Sequence, residues 1–356
     1  VTKPKVCVIS SRVFAVGVGG AAGLTGYGGL EQVAWYQAKG LAERGYPVAL
    51  VAPDGSTCPG AEIIPTGPPG QVYDEQQAYG RPGGGYWPEL KRFDVILDSS
   101  WNKWAYMARA EGWGPPVLGW LHAPCNTMYQ SLPPVEKPCF VAISKDQAAH
   151  FEALYGRPAR WCWNGIDLDF YRPTGVKRTN RFLFLARFSS VKSPDLAIKA
   201  CRDAAVELDL IGDTSITNEP QYLEQCKAMC DGKQIALRGP CSRGEAVTWY
   251  SGAFAFIHPT KNFREPFGLA PVEAQATGLP VIGWRYGSLP EIVKDGETGT
   301  LVSSIPEMVN ALRGYASAGI TQQQRERCRE WASQFSVSNS LDRVEKLIEE
   351  ALAGGW

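Results

Sequence analysis

Short apolar runs separated by helical segments recur in two series along the chain, and this alternation restricts the fold more than any other feature. Val6–Ser10, Val48–Ala52, Val95–Asp98, Val117–Leu121 and Phe140–Ile143 read as short buried strands, with a helix from about Gly29 to Arg44 between the first two. The series restarts at Arg181–Leu185 and continues through Glu207–Gly212, Ile235–Arg238, Ala253–His258 and Val281–Gly283. Buried strands separated by helices imply parallel, doubly wound sheets with ligands at the carboxyl ends of the strands. A chain of 356 residues is more than one ordinary core needs, so two such α/β units are expected.

Within the second series, the stretch His258 to Val293 carries the densest chemistry. Glu265 and Glu273 are separated by seven residues, with Phe267-Gly268 among them. Pro266 and Gly268 keep Glu265 off a helix, whereas Leu269 to Thr277 can be helical up to the break at Gly278. Glu265 is therefore presented just before a helix N-terminus and Glu273 from the body of that helix. Free N–H groups and positive partial charge at such an N-terminus suit a phosphate, and a carboxylate suits a pair of sugar hydroxyls. Spacing alone leaves open that both glutamates are solvated.

Other polar residues fall at predicted strand ends. Arg187 follows the strand Arg181–Leu185, and Lys192 precedes the next helix. A planar guanidinium fork beside a compact ammonium matches a pyrophosphate, the alternative being a charged surface. His122, in Trp120-Leu121-His122-Ala123-Pro124, leaves the end of a strand and is one of only three histidines. It is read either as a site residue or as a histidine satisfied by the core. The glycine-rich loop Ala15 to Gly29 ends in Gly28-Gly29, where backbone N–H groups could approach a phosphate; a plain surface loop is the other reading. Gly17-Val18-Gly19 is a poor match to a dinucleotide fingerprint, because the loop is too long for the tight turn. Ser144 is placed to cap a helix. Trp87, Trp101, Trp104, Trp113 and Trp120 are either a stacking surface for an acceptor or core.

The string from His258 to Val293 resembles the E-x7-E signature of retaining GT-B glycosyltransferases, in particular family 4, the glycosyl transferases group 1. Trp163-Asn164-Gly165-Ile166-Asp167 is similar to that family's interdomain linker, with Trp163 in place of proline. Ala186-Arg187 and Lys192-Ser193 resemble its Gly-Arg and Lys-Gly pairs, with both cations kept and both glycines replaced. The histidine of the family is often followed by aspartate, where this chain has Ala123. The resemblance implies the GT-B fold, two Rossmann-like doubly wound parallel-sheet domains facing a cleft with a C-terminal helix crossing back. It divides the chain into an acceptor-binding domain 1–164, a nucleotide-sugar-binding domain 165–335 and a returning helix 336–356. It further implies that Glu265 meets the transferred sugar and Glu273 the ribose, while Arg187, Lys192 and the N–H groups at Phe267, Gly268 and Leu269 stabilise the diphosphate. Gly28 and Gly29 would sit under the distal phosphate, the loop Arg238-Gly239-Pro240 would meet the nucleobase, and His122 would lie near the reacting centre.

The implied reaction is retaining transfer of a sugar from a nucleotide-diphosphate sugar, UDP-sugar before GDP-sugar, to the hydroxyl of a small-molecule, glycan or glycolipid acceptor. The resemblance also implies that no cofactor and no metal is needed, since GT-B enzymes generally do without a divalent ion. An epimerase or isomerase of the same architecture, or a silent nucleotide-sugar binder, are the alternatives. Lysine plus arginine equals aspartate plus glutamate at 36 each, which removes any electrostatic case for nucleic acid. No apolar run reaches the roughly 18–20 residues of a membrane span. The opening VTKPKVCVISS lacks a signal-peptide pattern, and the ten cysteines are scattered without a second pair to complete a zinc site at Cys226 and Cys230. A cytoplasmic protein with reduced thiols is therefore expected.

Overall fold

The computed structural model describes residues 2–17, 28–70, 87–110, 112, 114–125, 140–214 and 219–354. Most of the glycine-rich loop 15–29 and of the segment 66–88 lies outside them, as do Trp113, Cys139 and the side chain of Trp87. The chain divides into one unit of Val1–Gly165 with Ser336–Trp356 and a second of Ile166–Phe335.

In the first unit the strands are β1 (Val6–Ile9), β2 (Val48–Ala52), β3 (Ala61–Pro65), β4 (Val95–Asp98), β5 (Val117–Leu121), β6 (Phe140–Ala142) and β7 (Arg160–Trp161). They form one parallel sheet in the order β3-β2-β1-β4-β5-β6-β7, so the winding direction reverses between β1 and β4. β1, β2, β4, β5 and β6 are buried along their whole length, as strands covered by helices on both faces must be. Trp120 is fully buried in β5, and Trp101 and Trp104 pack half-buried against the core, which resolves these three tryptophans as packing residues. Asp98, at the end of β4, accepts from the backbone N–H groups of Ala105 and Tyr106 and so anchors the helix Trp104–Ala110. Ser144 caps the helix Lys145–Tyr155 by accepting from the N–H of Gln147.

The second unit holds β8 (Phe182–Leu185), β9 (Leu208–Ile211), β10 (Ile235–Gly239), β11 (Phe256–His258), β12 (Val281–Trp284) and β13 (Gly299–Val302). Their order is β10-β9-β8-β11-β12-β13, again all parallel, with the reversal between β8 and β11. Loops leaving these two strands therefore diverge above the sheet and leave the crevice in which open α/β sheets take ligands. Among the described residues no helix is long and apolar enough to cross a membrane, and the nine described cysteines are free thiols.

The C-terminal region is helical with one break. It is two helices, Gln322–Ala332 and Val337–Leu352, separated by a 3-10 turn at Ser333–Phe335. Ser336 starts the last helix by accepting from the N–H of Asn339, a cap that a helix periodicity cannot announce. Leu341, Val344, Leu347, Ile348 and Ala351 form its buried stripe, which packs on the helix Gly29–Glu43 and on β4 and β5. Arg44 binds Glu345 and, at 2.7 Å, Asp342 at the edge of this contact.

Leu341 occupies the space a side chain at Gly40 would need, so the close approach of these two helices depends on that glycine. We predict that Gly40→Val lowers stability by about 1–3 kcal/mol through overpacking. Gly314→Ala, in the helix Ile305–Ala318 where nothing lies within 4 Å of the added carbon, should raise it by up to about 1 kcal/mol. Urea denaturation of both variants checks this, and shifts of the same sign would contradict the packing account.

Candidate active site

Two loops meet at the switch point of the second sheet. The loop after β8 runs from Ala186 to Ser193 and leads into the helix Pro194–Ala204; the loop after β11 runs from Pro259 to Gly268 and leads into the helix Leu269–Ala276. Lys192 from the first loop binds Glu265 from the second, and both side chains are almost wholly withdrawn from solvent, at 13% and 11% exposure. The Lys192 ammonium also lies 5.2 Å from the Phe263 ring centre. His258, at the end of β11, places Nε2 3.6 Å from the same Glu265 oxygen, too far for a hydrogen bond. Burial pushes the Glu265 carboxyl up, but the charge of Lys192 and the neighbouring His258 outweigh it and bring it down to about 2. Burial, aided by the charge of Lys192 and opposed by Glu265, holds the His258 imidazole below its ordinary range.

On the loops that carry this ion pair and at the end of β11, four buried polar atoms have no hydrogen-bond partner among the described residues: Arg187 Nε, Ser189 Oγ, Thr260 Oγ1 and His258 Nε2. Each unsatisfied buried group costs about 1–3 kcal/mol, so a set gathered on two adjoining loops marks a place that a polar ligand completes. Glu265 is held in place from behind. Ser288 donates its backbone N–H to the Glu265 carbonyl at 3.1 Å and its hydroxyl to the Phe267 carbonyl at 2.8 Å. Gly287 lets that loop approach, because a side-chain carbon there would lie 2.8 Å from the Glu265 backbone. Phe267 is buried against Phe335, so its contribution to any ligand is through its backbone. Gly268, in the left-handed conformation, precedes a helix that no side chain caps, leaving the first-turn N–H groups from Leu269 without intrahelical partners.

Glu273, one helical turn further on, is buried in a cage of phenols. Tyr171 donates to Oε1 at 2.6 Å and Tyr250 to Oε2 at 3.1 Å. Burial raises the Glu273 carboxyl despite these hydroxyls and the nearby charge of Arg243. Arg238 stands apart: its Nε donates at 2.8 Å to Asp209 on β9, so its side chain is engaged on the sheet and only its backbone leads into the following loop.

Gly28, Gly29 and His122 belong to the first unit. Gly28 and Gly29 open the helix Gly29–Glu43, and the buried Glu31 carboxyl lies directly against Gly28 and hydrogen-bonds Ser11. His122 leaves the end of β5 with Nε2 2.9 Å from Ser99 Oγ. Burial and then the charge of Lys103 hold its imidazole well below the ordinary range, so it is neutral at physiological pH. Among the described residues no group of three or more histidine, cysteine, aspartate or glutamate side chains gathers to hold a metal. Sequence reasoning missed Ser189, Thr260, Tyr171, Tyr250 and Arg243. Thr260 and Ser189 were within reach of it, since they follow predicted strand ends; the other three are found only through their contacts.

Two doubly wound α/β units between which the chain passes twice, each with polar residues gathered past its strand ends, define the GT-B architecture. Residues 27–170 match the model of glycosyltransferase family 4 and residues 170–334 that of glycosyl transferases group 1, and the chain belongs to this family of GT-B glycosyltransferases. The D-inositol 3-phosphate glycosyltransferase of Thermobifida fusca is 29% identical over 239 residues, 54% of each chain. The D-inositol 3-phosphate glycosyltransferase 1 of Catenulispora acidiphila is 29% identical over 60% of this chain and 58% of its own. This chain thus spans about half the length of the curated relatives it matches. Among solved structures, sucrose-phosphate synthase from Thermosynechococcus elongatus superposes with a TM-score of 0.77 at 17% identity, covering 99% of this chain and 100% of that one. AviGT4, a glycosyltransferase involved in avilamycin A biosynthesis, gives 0.69 at 22% identity over 99% and 98%. Anabaena HepE, solved in complex with UDP and glucose, gives 0.69 at 16% over 97% and 99%.

The lowered Glu265 carboxyl makes the ion pair visible in acid stability. A carboxyl held below its unfolded value of 4.5 stabilises the fold above that pH, and this stabilisation is lost as the pH falls from about 4.5 toward 2. Lys192→Met leaves a buried unpaired carboxylate, so stability at pH 7 should fall by about 3–5 kcal/mol and the acid-limb dependence should flatten. Adding Glu265→Gln should recover much of the loss. Chemical denaturation across this pH range checks it; an unchanged acid limb in Lys192→Met would show that the pair does not hold Glu265 ionised.

Proposed function

We propose that the protein transfers a sugar from a nucleotide-diphosphate sugar to an acceptor hydroxyl with retention of the anomeric configuration and without a metal ion. The observation that carries this reading is the set of orphaned polar atoms around the Lys192–Glu265 pair at the β8/β11 switch point. Arg187 and Lys192 supply the positive charge that a departing diphosphate needs, and the N–H groups at the start of the helix Leu269–Ala276 add to it. Lys192 keeps Glu265 ionised, so that Glu265 accepts hydrogen bonds from the transferred sugar. Glu273 accepts from the ribose hydroxyls, and the backbone after Arg238 faces the nucleobase.

On this reading the leaving phosphate takes the acceptor's proton, and His122 orients the acceptor. A neutral imidazole bound to Ser99 suits that role. The donor is a UDP-sugar, in keeping with the UDP and glucose bound in HepE, and the names of the curated relatives make an inositol phosphate the first acceptor to try.

Charge on the diphosphate grows in the transition state, so Arg187→Ala should lower turnover about a hundredfold or more. A near-wild-type rate would return Arg187 to the surface. The reaction itself is read by proton NMR of the first-formed product from an α-linked UDP-sugar and an inositol phosphate. An α-linked product is expected. A β-linked product would overturn retention and make His122 the base, while conversion of the donor without any acceptor would favour an epimerase or isomerase.

A further inference from the structure

We propose that Arg243, Tyr171 and Tyr250 form a positioning set that fixes the Glu273 carboxylate as a two-pronged acceptor for a vicinal diol, and so determine selection of ribose over deoxyribose in the nucleotide. This rests on the proposed role of Glu273. Three side chains from two separate segments converge on one buried carboxylate. Tyr171 comes from the beginning of the second unit, Tyr250 and Arg243 from the helix Arg243–Gly252, and Glu273 from the helix Leu269–Ala276. Both phenols are essentially inaccessible, and Glu273 keeps 6% of its surface open.

Donor and acceptor capacity fixes the direction of every bond. A guanidinium can only donate, and Arg243 Nε donates to Tyr171 Oη at 3.1 Å. The Tyr171 oxygen is thereby used as an acceptor, and its own proton points at Glu273 Oε1, 2.6 Å away. The Arg243 guanidinium lies over the Phe170 and Tyr171 rings, at 4.7 and 5.4 Å from their centres, which holds it in this orientation. Tyr250 donates to the other oxygen, and the two phenol rings meet edge to face at 6.4 Å. A carboxylate offers about four acceptor sites, two on each oxygen. One on each is taken by a tyrosine, which leaves one on each, side by side, as a pair of adjacent hydroxyls requires.

A carboxylate on a helix buried all round, beside Ala270, Val272, Ala274 and Ala276, serves packing poorly, since an apolar side chain of similar size would fill the space at lower cost. The arrangement makes sense as a fixed acceptor. Without Arg243 the Tyr171 hydroxyl could turn away; without the hydroxyls the carboxylate could rotate.

The test is the ratio of dissociation constants, by isothermal titration calorimetry, for 2′,3′-dideoxy-UDP and UDP, with the GDP pair run in parallel. Wild type should prefer the ribonucleotide by about a hundredfold, and Glu273→Gln should abolish most of that preference. Tyr171→Phe, Tyr250→Phe and Arg243→Met should each cut the ratio about tenfold while binding the dideoxy nucleotide within about twofold of wild type. A ratio unchanged in all three variants, with Glu273→Gln still losing it, would overturn the positioning set and leave the ribose assignment standing. Equal weakening of both nucleotides would assign these residues to packing alone and likewise overturn it. A wild type that does not distinguish the two sugars would remove the ribose role of Glu273 and this inference with it.

Discussion

A lysine and a glutamate buried against one another above the sheet of the second unit set the terms for everything around them. Taking two charges out of water costs several kcal/mol per ion, and a well-packed apolar pair would often be as stable. Lys192 and Glu265 accept that cost at the one place where the strand order reverses, with the loops after β8 and β11 parting above the sheet. The pair joins those loops and keeps Glu265 ionised, and the same loops and the end of β11 carry Arg187, Ser189, Thr260 and His258 with polar atoms that no described residue hydrogen-bonds. Ser288 braces Glu265 from behind, and Gly287 permits the close approach of that loop.

The two units share a topology but not an electrostatic character. At the corresponding level of the first sheet stand a neutral His122 bound to Ser99 and a buried Glu31 bound to Ser11, whose carboxyl is raised by burial. The charge of the buried Lys103 lies beside His122, whereas in the second unit Lys192 is paired with Glu265. The same fold serves both because the sheet supplies only positions, and the loops supply the chemistry.

Much of this was legible in the sequence, and the residues that were not share physical causes. β1, β2, β4 and β5 read easily because both faces are buried and the sequence is continuously apolar. β3, β7 and β13 were missed, and each is at an edge of its sheet; in β3 and β7 exposed and half-exposed residues break the apolar run. The break at Ser333–Ser336 depends on a cap rather than on periodicity. In the candidate site, Arg187, Lys192, Glu265 and Glu273 stand out in the sequence because they follow predicted strand ends or a spaced motif. The Tyr171–Glu273 bond was invisible, since it links residues 102 positions apart and a tyrosine in a turn looks like any other.

The central claim is that the Arg187 and Lys192 loop at the β8/β11 switch point receives a diphosphate. Phosphorus NMR of UDP titrated with the full chain tests it most directly, because each phosphorus reports its own surroundings. The account predicts that the β-phosphorus resonance shifts and broadens on binding wild type, and that with Arg187→Met it remains at the position of free UDP at the same concentrations. An identical bound spectrum in the variant, or a wild type that leaves both phosphorus resonances unmoved, would contradict it.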